Sequence, residues 1–206
     1  MTRETIDMDA FDLPEIIKRA SPPGETSFKP FDVPSGSRTP YFLPIGGDMI
    51  VRQTSSTHGT DGYITTDSKE IARNQNRLKA KLISEVDRFS FYESYMEEDA
   101  DTLILTYGIT ARAARDVYHQ FKKDGKPVSL LVVKTLWPIP ENLIREHIGH
   151  AKRILVLEMN LGQYVREIER LLPDKKIDFL GRMDGRLISP NQIMEAIARA
   201  QLVEHQ

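Results

Sequence analysis

Cysteine is absent from all 206 residues. Disulfides, a thiol nucleophile and an iron–sulfur cluster held by this chain's own thiolates are therefore excluded. Tryptophan occurs once, at Trp137. No apolar run approaches the ~20 residues that a membrane-spanning helix needs. The opening stretch, MTRETIDMDAFDLPE, is acidic and lacks an apolar segment, so it does not read as a secretory signal. A cytoplasmic location is the default expectation. Neither sign of charge dominates, because 28 Lys and Arg stand against 30 Asp and Glu, for a formal net charge of −2. That balance gives no general attraction to nucleic acid or to a membrane, and neither is expected as a partner. G-x-G-x-x-G, the GKS/GKT phosphate loop, H-E-x-x-H and G-x-S-x-G do not occur. His119, His147, His150 and His205 fall on expected helices or at the terminus, without metal-ligand spacing.

What is present is an ordinary globular composition, 40% hydrophobic and 28% charged. It changes in character near residue 66. Proline and Gly24, Gly36, Gly46 and Gly47 crowd the first 44 or so residues and their surroundings. Proline removes backbone donors and interrupts helices, so residues 1–66 are expected to form an extended arm. Phe11, Phe28, Phe31, Tyr41 and Phe42 give that arm something to bury. Asp67 and Glu70 have the spacing of a capping box. Ile71, Leu78, Leu82 and Val86 follow at roughly helical spacing, which marks 67–98 as a linker helix closed by Glu97-Glu98-Asp99.

From residue 99 to 206 strand and helix patterns alternate. TLILT (102–106), VSLLVV (128–133), RILVL (153–157) and KIDFL (176–180) read as buried strands. Helices are expected over 111–123, 141–148, 161–172 and from Ser189-Pro190-Asn191-Gln192 to about Leu202. Strands apolar throughout, between amphipathic helices, imply an α/β fold: a three-layer parallel sheet with helices on both faces, preceded by the proline-rich arm and one helix.

In such sheets ligands bind beyond the carboxyl ends of the strands. The candidates there are Thr110, as helix cap or anion contact; Trp137, as ligand stack, interface anchor or packed side chain; and Asn160 with Gln163, as caps of the 161–172 helix. Glu158 ends a strand but has no histidine or second acid obviously beside it. His58 and Tyr63 sit in the polar loop THGTDGY, and a histidine on a glycine-bearing loop is a functional candidate. Read from the residues alone, the domain is well marked and comes without a recognisable catalytic set. A structural or assembly module and a stand-alone flavodoxin-like ligand-binding domain remain as alternatives.

The segments YGITARAAR, KTLWPIPE and VLEMNLGQ, in that order, closely resemble the C-terminal domain of the alpha subunit of 2-oxoacid:ferredoxin oxidoreductases. MDGRLISPNQIMEAI is similar to the end of that domain, and FDLPEI and THGTDGY are similar to its upstream linker. The resemblance implies a fold of the transketolase C-terminal type. It also implies a role in oxidative decarboxylation of a 2-oxoacid, possibly 2-oxoglutarate, to acyl-CoA with reduction of ferredoxin. Thiamine pyrophosphate with Mg2+, [4Fe–4S] clusters and CoA are implied for the complex, with none expected in this chain. The implied partners are the subunits carrying the thiamine and iron–sulfur sites, and ferredoxin through the complex. The family's alpha chain normally carries a thiamine-binding domain upstream, for which the residues before 100 leave no room. Relatives usually place an acid directly after the histidine, where this chain has Gly59. No catalytic residue is therefore carried over, and the chain is not expected to be active alone.

Overall fold

Three of the strands expected from apolar runs bury every residue: β2 (Thr102–Thr106), β3 (Ser129–Val133) and β4 (Arg153–Glu158). A strand that is apolar on both faces needs cover on both faces, and here each face receives a helical layer. The computed structural model describes residues 7–10, 12, 15–16, 18–24, 27–54 and 56–202. Phe11 and His205 lie outside them. The chain divides into two compact units, one up to Lys81 and one from Leu82.

Among its described residues the first unit carries one 3-10 turn, Met8–Ala10, an isolated antiparallel bridge between His58 and Ile64, and most of helix α1 (Ser68–Ile83). Asp67 starts the helix by accepting the backbone N–H groups of Lys69 (2.8 Å) and Glu70 (3.2 Å). Only this half of the expected capping box forms. The N–H of Asp67 goes to Thr65 Oγ1 at 3.2 Å instead. No residue of α1 is buried, and Leu78 and Leu82 keep 38% and 44% of their surface.

The second unit opens with a 3-10 turn, Val86–Phe89, and strand β1 (Tyr92–Tyr95). Sheet order is β1-β3-β2-β4-β5, with β5 at Lys176–Gly181. Strands β2 to β5 pair in parallel. Strand β1 is antiparallel to β3, with Tyr92 opposite Val133 and Tyr95 opposite Leu130. The sequence reading placed these residues in a linker helix over 67–98, but the helix ends at Ile83 and a 3-10 turn and β1 follow it. Its residues, YESY, alternate exposed and half-buried at a sheet edge and carry no apolar run.

Helices α2 (Thr110–Lys123), α3 (Glu141–Ile148), α4 (Gln163–Leu171) and α5 (Pro190–Leu202) complete the unit. Successive strand residues point to opposite faces. Leu103, Leu105, Leu131, Ile154 and Val156 therefore meet α3 and α4 through Ile144, Ile148, Val165 and Ile168. Ile104, Leu130, Val132, Leu155 and Leu157 meet α2 and α5 through Ala114, Val117, Ile193 and Ile197. Burying each of these large side chains contributes on the order of 1.5–3 kcal/mol. The start of α5 is as the sequence implied. Ser189 Oγ accepts from the N–H of Gln192 at 3.4 Å, and Gln192 Oε1 accepts from the N–H of Ser189 at 3.0 Å.

Candidate functional site at the strand ends

Strand β2 leads through α2 to β3 on one side, and the chain then returns through α3 to β4 on the other side of β2. The reversal of winding lies between β2 and β4, and in open α/β sheets this is where ligands enter. The residues just past these two strands are Tyr107 and the segment 158–163.

They close on each other. Glu158, the last residue of β4, is 1% exposed. Its Oε2 accepts from the Tyr107 hydroxyl (2.9 Å), Asn160 Nδ2 (2.8 Å) and the N–H of Tyr164 (2.9 Å). Its Oε1 accepts from the N–H of Val165 at 2.8 Å. Asn160 Nδ2 also reaches the Tyr107 oxygen at 2.7 Å. A carboxylate offers about four acceptor positions, two on each oxygen; here three donors crowd Oε2 and one reaches Oε1. The two backbone donors belong to the first turn of α4, where a negative charge also complements the helix dipole. Burial and the hydrogen bond to Glu158 push the Tyr107 hydroxyl up to about 12. Burial, followed by the charges of Tyr107 and Glu158, moves Tyr164 in the same direction. The Tyr164 hydroxyl has no hydrogen-bond partner among the described residues. The arrangement anchors a helix and seals a crevice. Glu158 is buried and holds the start of α4 through both of its oxygens, so it is placed to anchor the helix rather than to meet a substrate.

On the other side of Tyr107 lies an open crevice lined in part by Gly108, Ala111, Arg115, Lys134 and Leu136. Glu93 of β1 pairs with two of these lining residues, 2.7 Å from both Arg115 and Lys134. Hydrogen bonds from Lys134 and then Arg115 hold its carboxyl at about 2. Glu93, Arg115 and Lys134 were not among the sequence candidates, because they come from three separate elements.

The candidates themselves are spread out. Thr110 is the first residue of α2 and only 4% exposed; the cap position belongs to Ile109, and no side chain caps this helix. The sequence reading of Thr110 as the cap is corrected accordingly, since Gly108, with φ +60, turns the chain one residue earlier than expected. Asn160 does cap, its Oδ1 accepting from the N–H of Gly162 (2.7 Å) and of Gln163 (3.1 Å). Gln163 is the exposed first residue of α4 rather than its third, because Gly162 (φ +90) delays the helix. Trp137 stands out from the β3–α3 loop, 73% exposed, so it is not a core residue.

His58 and Tyr63 lie in the first unit, on one tight loop. The N–H of Gly59 bonds to the carbonyl of Tyr63 (3.0 Å), and that of Gly62 to the carbonyl of Gly59 (3.1 Å). His58 packs on the Phe31 ring at 3.8 Å and places Nδ1 3.0 Å from the carbonyl oxygen of Gly59. Arg52 lies over the Tyr63 ring at 3.8 Å and donates to its hydroxyl at 2.9 Å. These contacts make the loop a local fold in its own right. Among the described residues, no three His, Asp or Glu side chains are arranged to hold a metal ion.

Comparison with known proteins is consistent with this geometry. Residues 100–193 match the family model described as pyruvate:ferredoxin oxidoreductase core domain II. The chain is 29% identical over 180 residues to the 2-oxoglutarate synthase subunit KorA of Methanothermobacter thermautotrophicus, covering 86% of this chain and 47% of that one. It is 33% identical over 106 residues to the ketoisovalerate oxidoreductase subunit VorB of the same organism, covering 52% of this chain and 30% of that one. The chain thus spans about half the length, or less, of these relatives. Among solved structures it is similar in fold to the 2-oxoglutarate:ferredoxin oxidoreductase of Magnetococcus marinus, with a TM-score of 0.75, 21% identity, and coverage of 90% of this chain and 32% of that one.

Proposed function

We propose, from the match of residues 100–193 to the pyruvate:ferredoxin oxidoreductase core domain II model, that the chain serves as a positioning domain of a multi-subunit 2-oxoacid:ferredoxin oxidoreductase. The complex would oxidise a 2-oxoacid to an acyl-CoA and pass the electrons to ferredoxin. The family match carries this reading. The closed strand-end network supports the non-catalytic part of it, since the usual ligand crevice between β2 and β4 is filled by Tyr107, Glu158 and Asn160.

Among the described residues no three His, Asp or Glu side chains are grouped to hold a metal ion, and the buried strand-end carboxylate is bonded to α4. The cofactor supplies the carbon chemistry of this enzyme class, and in this proposal it is bound by other parts of the complex, as are the [4Fe–4S] clusters and CoA. What this chain contributes is a rigid platform. 2-Oxoglutarate is the proposed substrate, because several of the relatives are 2-oxoglutarate synthase subunits.

Affinity purification of the tagged chain from its native source tests the proposal. The expected preparation contains thiamine- and cluster-bearing neighbours and reduces a viologen dye when given CoA and 2-oxoglutarate, while the isolated chain does not. A chain that purifies alone, or one saturated by micromolar FMN, would overturn it in favour of a free-standing module or a flavodoxin-like binder.

A further inference from the structure

The chain enters the sheet of the second unit through an edge strand, β1. Strands β2, β3 and β4 bury every residue, whereas no residue of β1 is buried. β1 has one strand neighbour, β3. Of its residues only the half-buried Tyr95 packs against an apolar core cluster. Backbone pairing and a single aromatic contact are a thin hold for a strand at an edge.

Charge supplies the rest. Residues 93, 95 and 97 follow the strand period of two and share one face. They meet Arg115, Tyr118 and Lys122, which recur at helical spacing along one face of α2. Glu93 pairs with Arg115 and with Lys134, at 2.7 Å each. The Tyr95 ring lies 5.2 Å from that of Tyr118. Glu97 pairs with Lys122 at 2.6 Å and accepts from the Tyr118 hydroxyl. Two strand residues advance about 6.6 Å and one helical turn about 5.4 Å, so strand and helix stay in step over this short length.

These ion pairs are only partly shielded from water. Glu93 keeps 30% of its side-chain surface, Lys134 51% and Lys122 56%. Pairs in such positions weaken as salt is added. The apolar contacts that hold β2 and β4 between their helices carry no such dependence. The two kinds of strand therefore answer differently to ionic strength.

We propose that β1 is a charge-latched strap, which opens from β3 and α2 as a unit of its own while the parallel sheet stays folded, with ionic strength setting how often. Closed, the strap keeps Glu93 between Arg115 and Lys134, two cations that line the strand-end crevice beside Tyr107. Open, it withdraws that carboxylate and frees both cations together. It also bares the edge of β3, which β1 otherwise covers.

Native-state hydrogen exchange of the full chain is the test, with the amides of β2 and β4 as internal reference. The amides of β1 should exchange at least about ten-fold faster than the reference. Raising NaCl from about 0.1 M to about 1 M shortens the screening length from about 10 Å to about 3 Å, and should speed β1 about five-fold further relative to the reference. A Glu93→Gln/Glu97→Gln variant with unchanged circular dichroism should show a similar rise at low salt and lose the salt response. Exchange of β1 in step with β2 and β4 would overturn the inference. So would a β1 rate that salt leaves unchanged, a salt effect equal across the sheet, or a double variant that keeps the wild-type salt response. The wild-type salt series decides the matter even where the double variant does not fold.

Discussion

The Tyr107 hydroxyl donates to the Glu158 carboxylate at 2.9 Å, joining residues 51 apart in sequence at the adjacent ends of β2 and β4. The same carboxylate holds the first turn of α4. One buried acid therefore ties two strand ends to a helix, and its removal strands several donors at once.

Glu158→Gln should lower the unfolding free energy by about 3 kcal/mol, because an amide nitrogen would face backbone donors that it cannot satisfy. Tyr107→Phe, which removes one donor of four, should cost about 1 kcal/mol. Urea denaturation of both variants measures the difference. Equal effects would mean that Glu158 is not the hub.

Gly181→Ala should be poorly tolerated. A Cβ there would lie 2.7 Å from the carbonyl oxygen of Asn160 and would collide with the Phe179 ring. The ring is 43% exposed and can move, but the carbonyl is backbone. Overpacking of this kind costs about 1–3 kcal/mol, and a thermal melt of the variant should show the loss.

Acid should weaken the contact between β1 and the rest of the second unit. The carboxyl of Glu93 is held at about 2, against an ordinary value of 4.5, by Lys134 and then Arg115. A group with a depressed folded-state value adds stability above its unfolded value and loses it as pH falls through the folded one. The contribution is thus complete above about pH 4.5 and fades toward pH 2. Glu93→Gln should flatten stability against pH within that window and leave the slope at higher pH unchanged, as followed by circular dichroism.

Asp67→Ala should fray the start of α1. Its carboxylate holds the N–H groups of Lys69 and Glu70, and loss of such a cap costs about 1 kcal/mol. Faster hydrogen exchange at those two amides, with the rest of the helix less affected, is the expected signature.

The apolar runs at 102–106, 128–133, 153–157 and 176–180 located strands β2 to β5 to within a residue or so at each end. Ser189, Pro190 and Gln192 likewise marked the start of α5 by chemistry that is local in sequence. The sequence missed β1, since an edge strand with one half-buried face leaves only a faint alternation. It also placed the start of α4 two residues early and gave the α2 cap to Thr110, where glycines with positive φ at 162 and 108 shift the turns.

By itself, then, the sequence determined the layers: periodicity and capping are short-range, and burial on both faces follows from apolar strands. Only the tertiary structure decided what stands at the strand ends. Which of Tyr107, Glu93, Lys134 and Glu158 meet depends on the sheet order, and that order is set by long-range pairing. The same pairing gathers Trp137, Leu161 and Met183, each unremarkable in its own loop, at one end of the sheet. It also turns Glu158, which reads as an isolated strand-end acid, into the anchor of α4.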